Sequence, residues 1–176
     1  GFTSTPGSMF AWAAPLAARN WMRVIDIGRT TEAGDGSGAD GEYITTPASP
    51  APGATSSRDN LVLSACIGTD LNWQRLEGKL GGANVVTADS NLATTAGELH
   101  HYAITFTDTA GGGTVKWYRD GALVKTLDTA FHSADLDDVN NWLGRSLWSG
   151  DDMSNIDYHD VRIQDIALAA GNVAAN

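Results

Sequence analysis

An all-β fold, a two-sheet antiparallel β-sandwich, is predicted by three features of this 176-residue sequence. Helical periodicity is confined to two short stretches, 15–20 and the Ala-rich tail after Ile166. Twenty glycines, clustered with Asp, Ser and Thr, cut the remainder into short pieces. Within several of those pieces apolar and polar residues alternate, the pattern of a strand with one face on a core.

Strands are expected at about 8–14, 22–28, 60–67, 71–77, 83–88, 100–108, 113–119, 122–127, 141–146 and 157–168. Tyr102, Ile104 and Phe106 share one face of the sixth. In the second, Ile25 and Ile27 point to the core and place Val24 and Asp26 outside. The same parity makes Leu61, Leu63, Trp117, Val161 and Ile163 core residues. Asp120-Gly121, between two apolar-containing runs, is the chemistry of a tight hairpin, because both central positions want positive φ. Ten strands joined by short turns, with no helices between them, argue a sandwich over a parallel α/β sheet. The chain reads as one domain over 1–176, with a long Gly/Asp/Pro-rich loop at about 29–58 of the length that is usually functional or poorly ordered.

Composition narrows the function. Eleven Lys and Arg against 21 Asp and Glu give a formal charge of −10. Such a surface repels phosphate backbones, so nucleic acid is not an expected partner. No apolar run approaches the roughly 20 residues that cross a bilayer, so membrane insertion is not expected either. The one cysteine, Cys66, excludes an internal disulfide and sits in an apolar run as a small buried hydrophobe.

Several segments together carry a resemblance. Phe10-Ala11-Trp12 and Arg23-Val24-Ile25-Asp26-Ile27-Gly28 come first, followed by Leu99-His100-His101-Tyr102-Ala103-Ile104-Thr105-Phe106 and Val115-Lys116-Trp117-Tyr118-Arg119-Asp120-Gly121. Asn141-Trp142-Leu143-Gly144-Arg145-Ser146 and Tyr158-His159-Asp160-Val161-Arg162-Ile163, with Ala167-Leu168, complete the set. In this order they resemble the strands of laminin-G-like, concanavalin A-like jelly rolls. The resemblance covers most of the chain and implies the sandwich fold; it does not choose among lectins, adhesins, enzyme-appended modules and virion proteins. Three departures stand out. Only about eight residues precede the Ala-Trp strand, where the family has one or two strands, which leaves open whether an opening strand is missing or is supplied by another chain. Arg119 replaces an apolar residue and His159 an Asp.

Glycoside hydrolases on this fold place two carboxylates on one strand face. No strand here offers that spacing, and Asp135, Asp137 and Asp138 lie in a loop, so an enzyme is not expected. There is no Gly-x-Ser-x-Gly elbow, and His100 and His101 read as structural residues entering a strand. Calcium, which wants six to eight oxygens, is the expected cofactor. Its candidate ligands are Asp35, Asp40 and Glu42 in one Gly-rich loop, and Asp157 with Asp151, Asp152 and Asn155 in another.

Six tryptophans provide aromatic faces of the kind that pack on sugar rings. Trp73 and Trp117 alternate with apolar positions in the pattern of the family that the chain resembles, which implies that both are core, and Trp142 has a structural role. Trp12 and Tyr118 have outward parity. Trp148 lies in a loop beside Asp151 and Asp152. The expected ligand-binding set is therefore Trp148, Asp151, Asp152, Trp12 and Tyr118. The function expected is a non-catalytic carbohydrate- or surface-binding (adhesion) module of a secreted or surface polypeptide, extracellular or on a virion, with a glycan or cell-surface polysaccharide as partner. The alternative is a structural subunit of a virion, filament or surface layer that contacts identical or neighbouring subunits through its sheet edges.

Overall fold

The computed structural model describes residues 7–30, 58–80, 83–130, 132–136, 140–146, 151 and 153–175. The strands are β1 (Gly7–Pro15), β2 (Arg23–Thr30), β3 (Arg58–Ser64), β4 (Gln74–Leu80) and β5 (Ala83–Ser90), then β6 (His100–Thr109), β7 (Gly112–Arg119), β8 (Ala122–Thr129), β9 (Asn140–Leu143) and β10 (Ile156–Gln164). A short helix α1 (Ala170–Ala175) follows. Each predicted strand has its counterpart. All pairings are antiparallel: one sheet has the order β10-β1-β6-β7-β8, the other β5-β4-β3-β2-β9. For brevity the first is sheet A and the second sheet B.

Between the sheets lies one apolar core that includes Met9, Ile27, Leu61, Leu63, Leu76, Tyr102, Ile104, Phe106 and Trp117. Of the ten core residues expected from parity, eight are buried. Val161 only packs against the cluster, and Ile163 is 54% exposed, because β10 is an edge strand of its sheet. Val24, expected outside, is fully buried in the core: the pairing of β2 with β3 is irregular between Arg23 and Ile25, which resets its facing.

The outer face of sheet A carries a second apolar cluster. Phe10, Ala103 and Tyr118 project there and are covered by Val173 of α1, with Leu168 packed alongside. That cover explains why β6 is buried on both faces from His100 to Phe106. It also removes Tyr118, 1% exposed, from any ligand surface. The β7–β8 turn adopts the expected geometry, with φ of 51° at Asp120 and 76° at Gly121. Asp120 also holds the start of β6, accepting from the His101 N–H at 2.9 Å and lying 2.9 Å from His100 Nδ1. Both histidines are buried, as their structural reading requires.

Candidate functional site

The outer face of sheet B is polar. Cross-strand pairing lines up Arg23, Ser64, Arg75 and Asp89 in one row, and Trp142, Asp26, Val62, Glu77 and Thr87 in the next. Antiparallel sheets commonly leave such a face to water. Here Arg23, Asp26, Asn60, Val62 and Ser64 are at most 4% exposed.

Buried polar groups require partners, and the row supplies them. Arg23 donates from Nη1 to Ser64 Oγ at 2.5 Å, from Nη2 to Asp151 Oδ2 at 2.5 Å and from Nε to Ser146 Oγ at 3.3 Å. Ser146 Oγ donates in turn to Asp151 Oδ2 at 2.7 Å, and Asn60 Nδ2 to Asp26 Oδ1 at 3.0 Å. Asp26 Oδ2 lies 3.8 Å from Arg23 Nε. On β4 the alternation Arg75, Glu77, Lys79 places a carboxylate between two cations, each 3.7 Å away. Arg75 also grips Asp89 with two nitrogens at 2.6 and 2.8 Å. This fork holds the Asp89 carboxyl below the usual carboxylate range and strengthens the hold of Arg75 on its proton.

Trp21 stands at the edge of this face. Its backbone has φ of 51°, a left-handed conformation that is an outlier for a bulky residue. The turn is pinned locally. The Trp21 N–H donates to Gly68 O at 2.7 Å and the Ala65 N–H to Met22 O at 2.8 Å. The Met22 N–H reaches Cys66 Sγ at 3.4 Å, and that sulfur lies 3.0 Å from Arg19 O. Burial pushes the Cys66 thiol up, so it keeps its proton and serves as a clasp for the turn rather than as a nucleophile. The guanidinium carbons of Arg23 and Arg75 lie 5.5 and 5.2 Å from the Trp21 ring centroid, within cation–π range. Trp21, Arg23, Arg75, Glu77, Lys79 and Asp151 together line a cavity of about 240 Å³.

Of the five residues expected to bind ligand, Asp151 is in this site. Trp148 and Asp152 lie outside the described residues. Trp12 is half-buried on the other sheet, 4.9 Å from the His101 ring, and Tyr118 lies under the α1 cover. The set is therefore not brought together. Asp35, Asp40 and Glu42 fall outside the described residues, and Asp157 is exposed on β10. Among the described residues no group of three or more His, Cys, Asp or Glu could hold a metal ion. Trp21, Arg23, Arg75, Glu77 and Lys79 were not anticipated. The period-two run Arg75-x-Glu77-x-Lys79 was the signal available for three of them.

The profile of the concanavalin A-like lectin/glucanases superfamily matches residues 1–174. The chain belongs to that superfamily. A search of curated protein sequences finds no match. Among solved structures it is similar to the CBM40 of the Ruminococcus gnavus IT-sialidase bound to α2,3-sialyllactose, at 14% identity and a TM-score of 0.65 over 99% of this chain and 83% of that one. It is also similar to the leech intramolecular trans-sialidase complexed with 2,7-anhydro-Neu5Ac, at 15% identity and a TM-score of 0.68 over 99% of this chain and 23% of the other. A third is domain 4 of AbnA, an extracellular arabinanase from Geobacillus stearothermophilus, in complex with arabinotriose, at 19% identity and a TM-score of 0.55 over 98% of this chain and 66% of that one. At these identities the likeness is one of fold. No helix among the described residues is long and apolar enough to cross a membrane.

Proposed function

We propose that this superfamily member is a non-catalytic carbohydrate-binding module whose glycan sits in the cavity on the outer face of sheet B. The observation that carries the reading is Trp21: a partly exposed indole held at φ of 51° beside two guanidiniums, over a polar floor. Backbone strain in a bulky residue persists where the surroundings over-determine it, and such strain clusters at ligand clamps. An indole supplies the apolar surface that a pyranose face packs on. Arg75, Lys79 and Glu77 on β4 supply donors and acceptors for hydroxyls.

The two carboxylates lining the cavity are engaged by cations, Glu77 by Arg75 and Lys79, and Asp151 by Arg23. Glycoside hydrolysis instead needs one acid held ready to give its proton and a second poised on the sugar, so the arrangement favours holding over cleaving. Glycan-bound structures of similar fold, with sialyllactose and with arabinotriose, support the same reading. We place the domain in an exported polypeptide, as the extracellular arabinanase is.

An array of immobilised glycans probed with the labelled domain tests this. Wild type should bind a restricted set of glycans, and Trp21→Ala should lose them while remaining folded. Binding by Trp21→Ala at undiminished strength would refute the site, and an array with no bound glycan would refute the function.

A further inference from the structure

A second cavity, of about 670 Å³, opens at the edge of the sandwich where β5 and β8 approach one another. Its lining includes Trp73, Leu92, Leu123, Asp89, Asp120 and Lys125. The family pattern expects Trp73 in the core, yet it is 45% exposed, and Leu92 and Leu123 beside it are 37% and 53% exposed. The reason is parity. Gln74 takes the buried position at the start of β4, donating from Nε2 to Thr94 Oγ1 at 2.6 Å, so Trp73 falls on the same outer face as Arg75.

One wall of this cavity is braced by Arg119, itself 6% exposed. Its Nη2 donates to Ala93 O at 3.1 Å, and its Nη1 to Thr94 Oγ1 at 3.3 Å and Leu92 O at 3.4 Å. The loop that carries Leu92 is thereby fixed from beneath before any ligand arrives. An arginine at a position where the family has an apolar residue is explained by this brace.

The two cavities share a border. Arg75 lines the first and Asp89 the second, and these residues are the bidentate pair across β4 and β5. Size separates their roles. Ligand pockets commonly span about 300–1,000 Å³; the first cavity, at about 240 Å³, falls below that range and the second, at about 670 Å³, within it.

Resting on the glycan reading above, we infer that the ligand is a linear oligosaccharide chain. It fills the Trp21 cavity with one unit, crosses the Arg75–Asp89 pair, and lays a further unit on Trp73. Carboxylates at Asp89 and Asp120 and the ammonium of Lys125 surround that apolar floor, so hydroxyls at the ring edge find acceptors and a donor while the ring face meets indole.

The test is calorimetric titration of wild type, Trp73→Ala, Leu123→Glu and Trp21→Ala with 3′-sialyllactose and with arabino-, xylo- and cello-oligosaccharides of two to six units. Trp73 and Leu123 are exposed, so both variants at that end should keep the wild-type unfolding midpoint. For the series that binds, affinity should climb with length until the chain reaches Trp73. Either variant at the second cavity should then weaken the longest members about 10-fold or more, the worth of one stacked ring, and leave the shortest binder unchanged. Affinity independent of length and indifferent to Trp73→Ala and Leu123→Glu would overturn the second subsite while leaving a glycan in the Trp21 cavity. Absence of binding by every oligosaccharide would overturn both.

Discussion

Arg23 and Asp151, 128 positions apart in the chain, meet at 2.5 Å through Nη2 and Oδ2 in nearly complete seclusion from water. The pair ties the floor of the sheet B face to the segment that follows β9. Removing one partner of a buried ion pair strands the other, at a typical cost of about 3–5 kcal/mol. Ser64, Ser146 and Asp26 would remain around Arg23, which favours the lower end. Asp151→Ala is therefore expected to destabilise the domain by about 3 kcal/mol, a fall of roughly 6–12 °C in Tm for a chain of this size. Differential scanning calorimetry measures it; an unchanged Tm would show that the pair carries no net stability.

The β7–β8 hairpin and α1 are linked at Gly121. A side chain there would suffer the left-handed φ of 76°, and its Cβ would lie 3.0 Å from Ala174 Cβ and 3.1 Å from Ala174 Cα. Gly121→Ala should lose about 1–2 kcal/mol from the backbone alone, with a further loss as α1 is pushed off Tyr118 and Phe10. Denaturant unfolding reads the first effect. Increased near-ultraviolet exposure of tyrosine reads the second.

His101 gives the domain a pH dependence of definite sign. Its ring stacks on Phe10 at 5.7 Å and lies 4.9 Å from Trp12, and burial holds its pKa below 6.5, opposed by Asp120 and reinforced by Arg162. The unfolded chain therefore binds more protons at this position than the folded one does. Stability from this residue is full above pH 6.5 and is lost as pH falls from there through the folded value. Tm measured between about pH 7.5 and 5.5 should decline on acidification, and His101→Phe, which keeps the stacking but cannot titrate, should flatten that slope. A parallel decline in both proteins would assign the effect elsewhere.

The fold was legible because its signals are local. Alternation in 100–108 marks β6, and Asp120-Gly121 marks the β7–β8 turn without reference to the rest of the chain. Errors arose where burial depends on a distant segment. Tyr118 does have outward parity, but α1, more than 50 residues later, covers it. Trp73 carried the opposite error, since one position of phase at the start of β4 decides between core and surface. The site was less legible still. Nothing in Asn20-Trp21-Met22 announces a left-handed turn, because the clasp that holds it comes from Cys66 and Gly68 on another strand's exit. Only Asp151 was anticipated, for its place beside Trp148 and not for its bond to Arg23.

Whether Trp21 is the aromatic platform of a glycan site on sheet B can be read from its indole N–H resonance. Each of the six tryptophan side chains contributes one indole N–H to a ¹H–¹⁵N correlation spectrum, and the signal lost in Trp21→Phe assigns Trp21. Titration with a glycan retained on the array should move the Trp21 signal progressively and leave that of Trp117, fully buried in the core, in place. Saturable glycan binding that leaves the Trp21 signal unmoved would put the glycan site away from Trp21.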